Sequence, residues 1–262
     1  MSEATLSITA AGCDTAGSLK RRYYLLILSV FLVDMVISSI FMTLTESWHL
    51  AWRIIPTSAV MLLGANFVLA QWQFAPIAKF LDGKVEFAAV ERCMTQLQLQ
   101  SARNVGILTL VLMSFRMGLP FFVDSGYDQA MPTIVDAIST IVVEVAFFFT
   151  LIYFLIGDYL SGLGQFIFHR HGHNLSLYFG RFSVKLGVAL LVSSILPMIM
   201  ILIDVNSYDG DRGRTEIMVD ATAALFGVAL AAIFVTRSLI RPLAILSDGM
   251  TAVADGKLDM RL

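Results

Sequence analysis

Charge is what this chain has least of. Asp, Glu, Lys and Arg make up 15% of its 262 residues, against about 25% in an ordinary soluble domain. Hydrophobic residues reach 57%, and the mean hydropathy is +0.78. So few charges cannot dress the surface of a soluble globular protein, and a disordered chain would be poor in apolar residues, not rich. The net charge of −2 supplies no basic field to displace counterions from phosphates, which excludes nucleic acid as a partner. Cysteine is nearly absent. Cys13 and Cys93 stand eighty positions apart with no C-x-x-C, so neither a disulfide framework nor a thiolate metal site is available. A nucleophile–base set, a P-loop and a dinucleotide-binding fingerprint are also missing, and the expectation is a stretch with no catalytic residues and no cofactor of its own. These exclusions leave an integral membrane protein.

Long apolar runs, in contrast, are plentiful. About 20 consecutive apolar residues cross a bilayer as a helix. Six such runs occur, at 23–44, 54–75, 104–123, 134–157, 182–204 and 217–236. The fold class expected is therefore an all-α membrane protein of six transmembrane helices. Basic residues set its orientation. Lys20, Arg21 and Arg22 precede the first run; Lys79, Lys84, Arg92 and Arg103 follow the second. Arg170, Arg181 and Lys185 follow the fourth, and Arg237, Arg241, Lys257 and Arg261 follow the sixth. Only Arg53, Arg212 and Arg214 fall on the opposite side. Both termini are thus expected in the cytoplasm of a cell with the protein in its inner membrane. Trp48 and Trp52 suit the outer aromatic belt, Tyr23 and Tyr24 the inner one. The organisation expected is a disordered cytoplasmic start (1–22), a membrane domain (23–237) with a cytoplasmic helical segment at 76–103, and a cytoplasmic helix (238–262). The outer loops are too short to fold into a sensing domain.

Beyond the sixth run the chain reads RSLIRPLAILSDGMTAVADGKLDMRL. Leu239, Leu243, Leu246, Met250 and Val253 follow one another in steps of four and three, which is the seam of a coiled coil. Pro242 starts a helix well, and Gly256 suits its left-handed end. Arg241, Pro242, Leu243, Gly256, Leu258 and Asp259 resemble the entry of a HAMP domain. That resemblance implies homodimerisation through the seam, with Arg241, Pro242, Leu243, Leu246, Met250, Val253 and Gly256 relaying a signal. It also implies a second HAMP helix and an output domain beyond Leu262. Six spans with short loops before a HAMP entry resemble the membrane anchor of bacterial class III adenylate cyclases. By that resemblance the output makes cAMP from ATP with Mg or Mn. A sensor histidine kinase anchor and a small membrane transporter are the alternatives.

A short repeat accompanies the seam. PIAKFLDGK (76–84) follows the second run and PLAILSDGM (242–250) the sixth. Either the second and sixth runs are equivalent, or the likeness reflects shared juxtamembrane composition.

Three charges fall inside apolar runs: Asp34, Arg116 and Glu144. Each costs about 2.5–3.5 kcal/mol at mid-bilayer on insertion scales, so such groups face the bundle interior and find partners. They form either a structural ion pair or a sensing site for a proton, an ion or a small hydrophobic or lipid ligand. Gly64, Asn66, Ser38, Ser39, Ser193 and Ser194 permit close helix contacts. Pro120 and Pro197 are expected to kink or end their helices. Asp136, Asp204 and Asp220 are expected at the outer interface in water. His169, His171 and His173 form FHRHGHN on the cytoplasmic side. They read either as three imidazole ligands for a transition metal or as a solvated loop beside lipid head groups.

Overall fold

The computed structural model describes residues 16–122, 134–172, 187–188, 191–208, 210–236 and 250. Every regular element among them is helical, so the fold is all-α. We number six helices. Helix α1 is Ala16–Leu44. Helix α2 is Trp48–Leu81, continuous through a π-helical stretch at Ala59–Ala65. Helix α3 is Phe87–Phe122 and α4 is Ile134–His171. Helix α5 joins a π-helical start, Leu191–Ile195, to an α-helical part, Leu196–Ser207. Helix α6 is Gly210–Val235. Three of them hold segments long and apolar enough to cross a membrane: Gly17–Leu44, Trp48–Leu81 and Ile134–Phe168. The described apolar part of α5, Leu196–Asn206, is shorter.

Each of α1, α2 and α3 buries one helical stripe. On α1 it is Leu19, Tyr23, Ile27, Val30, Asp34 and Ser38, spaced by three and four as one helix face requires. On α2 it runs Ser58, Leu62, Asn66, Ala70, Phe74 and Ile77. On α3 it runs Val90, Met94, Leu97, Ser101, Val105, Thr109 and Leu112. Helix α4 adds Phe148, Ile152, Ile156, Leu163 and Ile167. The Tyr23 ring stacks on Phe74, 4.5 Å between centroids, and closes the α1–α2 seam.

The opposite faces are also apolar. Leu32, Val60, Trp72 and Val111 point outward. Only 22% of the most apolar window of α1, and the same share of α2, is buried inside the bundle. Apolar surface on this scale is a liability in water and the normal state in lipid. The protein is embedded in a membrane.

Some boundaries differ from the sequence expectation. Helix α1 begins at Ala16, well before the apolar run, because Leu19 continues the buried stripe by one turn. The segment 76–103 is not one helix. Pro76 lies inside α2, and the chain turns at Asp82–Gly83 before α3 starts at Phe87. Gly83 has φ +71°. Its N–H donates to Phe80 O and that of Lys84 to Lys79 O, the paired bonds of a Schellman motif. Pro197 does not end its helix. It sits in the first turn after Leu191–Ile195, where the wider π turn relieves the clash of its ring with the carbonyl four residues earlier.

Candidate functional site

The buried stripes of α1, α2 and α3 each carry one polar group to a common depth. Asp34 is ten residues from the Leu44 end of α1, and Ser58 ten residues from the Trp48 start of α2. Glu144 stands ten residues into α4 from Ile134. Ten residues of helix rise about 15 Å, half of the roughly 30 Å hydrocarbon layer. Arg116 approaches this level from the third stripe, one turn beyond Leu112.

The groups meet. Asp34 is 2% exposed, and the Arg116 side chain 14%. Arg116 Nη1 donates to Asp34 Oδ1 at 3.5 Å. Its Nη2 donates to the Ile54 carbonyl at 3.1 Å and to Ser58 Oγ. Ser58 Oγ in turn donates to Asp34 Oδ2 at 2.6 Å. The hydroxyl is therefore a relay between cation and anion. Sequence reasoning missed Ser58. Its only signal was spacing, since it lies two helical steps of four before Asn66.

Glu144 is near but not joined. The charges of Asp34 and Arg116 both act on it, yet its Oε2 is enclosed without a hydrogen-bond partner. Arg116 Nε is enclosed and unpartnered as well. One guanidinium and two carboxylates thus share this region, with the guanidinium bonded to Asp34 and a donor of Arg116 and an acceptor of Glu144 left over.

A second polar cluster lies at the far end of α5 and α6. Asp204 is 3% exposed, and the carboxyls of Asp220 and Asp136 both act on it. The Tyr208 hydroxyl donates to Asp136 Oδ2 at 2.7 Å. Asp204 was expected in water. Its place in α5 turns it toward Asp220 of α6, and Oδ2 of each carboxyl is enclosed without a hydrogen-bond partner.

Other expected sites are not placed. Of the relay residues Arg241, Pro242, Leu243, Leu246, Met250, Val253 and Gly256, all but Met250 lie outside the described residues. The second copy of the repeat, 242–250, likewise lies outside them except for Met250. His169 and His171 fall in the last turn of α4, which stops before Gly172 at φ +68°; His173 lies outside the described residues. No group of three or more His, Cys, Asp or Glu able to hold a metal occurs among the described residues. Among known proteins, no family model, curated protein or solved structure matches the chain.

Proposed function

We propose that the chain is the membrane sensor and anchor of a signal-transduction protein. Its six helices cross the inner membrane with both ends cytoplasmic, and α6 passes the state of the bundle to an output enzyme through the HAMP-like segment 238–262. The observation that carries this reading is the position of Arg116, held by Asp34 at 3.5 Å while its Nε and Glu144 Oε2 remain unpartnered. Moving the guanidinium from α1 to α4 would replace one ion pair by another. Helix α6 touches both α1 and α4, so it feels which pair is made. Two discrete pairings make a bistable element, and a cue acts on it only by its differential affinity for the two states. A proton, or the anionic head of a lipid or small amphipathic ligand, has the chemistry to compete for this site.

The seam of Leu239, Leu243, Leu246, Met250 and Val253 supports a homodimer below the membrane. Its HAMP resemblance favours a class III adenylate cyclase as output, with Mg or Mn and ATP handled there. The test is cyclic AMP formation by the protein made from the whole coding sequence that contains this chain. Asp34→Asn frees Arg116 for Glu144, and Glu144→Gln commits it to Asp34. The two variants are expected to shift output in opposite directions. Absence of cyclase activity, or identical output from both variants and the unaltered protein, contradicts the proposal.

One observation favours a transporter instead: π-helical turns interrupt α2 at Ala59–Ala65 and open α5 at Leu191–Ile195, and helices broken near mid-depth mark transport sites. Solute uptake by sealed vesicles bearing the chain, lost in Arg116→Met, would decide for it.

A further inference from the structure

The packing of α2 against α3 leaves two buried polar groups unpartnered, Asn66 Nδ2 and Thr109 Oγ1. Asn66 is 2% exposed and Thr109 0%. Polar groups this deep are nearly always hydrogen-bonded, to protein or to water.

Hydrogen bonds fix where these two groups stand. Helices α2 and α3 are joined at two levels. At the first, Arg116 reaches Ile54 and Ser58. At the second, Ser101 Oγ donates to Gln73 Oε1 at 3.3 Å, and the Tyr23 hydroxyl lies 3.3 Å from Ser101 Oγ. Ser58 and Gln73 are fifteen residues apart on α2; Ser101 and Arg116 are fifteen apart on α3. The two joints bound the same interval on both antiparallel helices. Asn66 and Thr109 each fall within one residue of the midpoint, on the buried stripes. They therefore share a level, halfway along an interval of about 22 Å. The π-helical stretch Ala59–Ala65 occupies the α2 side of the same interval, and such turns often coincide with functional sites.

We propose that Asn66 and Thr109 share buried water, a hydrated polar step midway between the Asp34–Ser58–Arg116 cluster and the Tyr23–Ser101–Gln73 cluster. Both groups are neutral, so water fits them better than an ion does. The amide offers donors and an acceptor, the hydroxyl one of each kind, and an internal water needs two to four such partners. This hydrated step lies inside the buried α2–α3 packing. It is independent of the signalling proposal, because it is read as hydration and not as output.

The test is radiolytic hydroxyl footprinting of the whole chain in lipid nanodiscs. Bound water is radiolysed in place and labels side chains that bulk solvent cannot reach. Leu62 and Leu112, one turn from Asn66 and Thr109 on the same stripes, are expected to label several-fold faster than Ile152 and Leu163, which are equally buried on α4. In Asn66→Leu/Thr109→Val the Leu62 and Leu112 rates should drop to those of Ile152 and Leu163. Equal rates at the four leucine and isoleucine positions in the unaltered chain overturn the proposal. So does fast labelling of Leu62 and Leu112 that persists in a double variant of unchanged helical content. The first comparison needs no variant to fold.

Discussion

Ser58 shows how much of the site depends on a group too ordinary to attract notice. It accepts from Arg116 and donates to Asp34, so the ion pair is held by a hydroxyl on a third helix. Asp34, Arg116 and Glu144 were legible because a charge in an apolar run must have a reason. Ser58 was not, since small polar residues recur throughout these helices and only the neighbours give one of them a role. Nor could the choice of partner be read: Asp34 and Glu144 lie at the same depth, and only packing decides which meets Arg116. Removing the cation leaves the Asp34 carboxylate buried without a countercharge. Arg116→Met is therefore expected to lower stability by about 3 kcal/mol. The double variant Arg116→Met/Asp34→Asn should recover much of that loss. Unfolding of the purified chain in detergent measures both, and a fully additive pair would show that the two residues do not interact.

At the scale of the element, helix ends were harder to read than helices. Long apolar runs announced the helices, but their termini depend on caps. Asp82-Gly83 stops α2 through a left-handed glycine, and so divides a segment that looked continuous. Helix α1 ends in a similar way with a poorer residue. Glu46 has φ +55°, and the Ser47 N–H donates to Met42 O at 2.9 Å across it. A side chain in this conformation costs about 1 kcal/mol, and glycine pays nothing there. The same principle predicts opposite signs at the two turns. Glu46→Gly should stabilise by about 1 kcal/mol, and Gly83→Ala should destabilise by about 1 kcal/mol. A Cβ at Gly83 would meet nothing within 4 Å, so its effect is purely that of the backbone. Thermal melts of the two variants side by side check both signs.

For the whole molecule, composition alone pointed to a membrane, and the apolar outer faces of α1, α2 and α4 agree with it. The proposed six-span arrangement needs helices α3, α5 and α6 as well, where charge or short length weakens the apolar signal. Helix α3 mixes a polar first half with an apolar second half, and α6 opens on the charged stretch GDRGRTE. The proposed arrangement reads those features as helices that emerge into water at one end. On the proposed arrangement, the alternating basic residues put the α2–α3 turn inside and the α1–α2 and α5–α6 turns outside.

That topology is the claim on which the buried charge switch depends, because Asp34, Arg116 and Glu144 sit at mid-depth only if these helices cross. The decisive measurement is labelling of single cysteines in intact cells with a membrane-impermeant maleimide. Cys13 and Cys93 are first replaced by serine, and one cysteine is then placed at Glu46, Gly83 or Tyr208. The account predicts labelling from outside at positions 46 and 208, and at position 83 only after the cells are opened. Labelling of positions 46 and 83 from the same side would contradict it, since α2 would then not cross the membrane and the charged cluster would not lie within it.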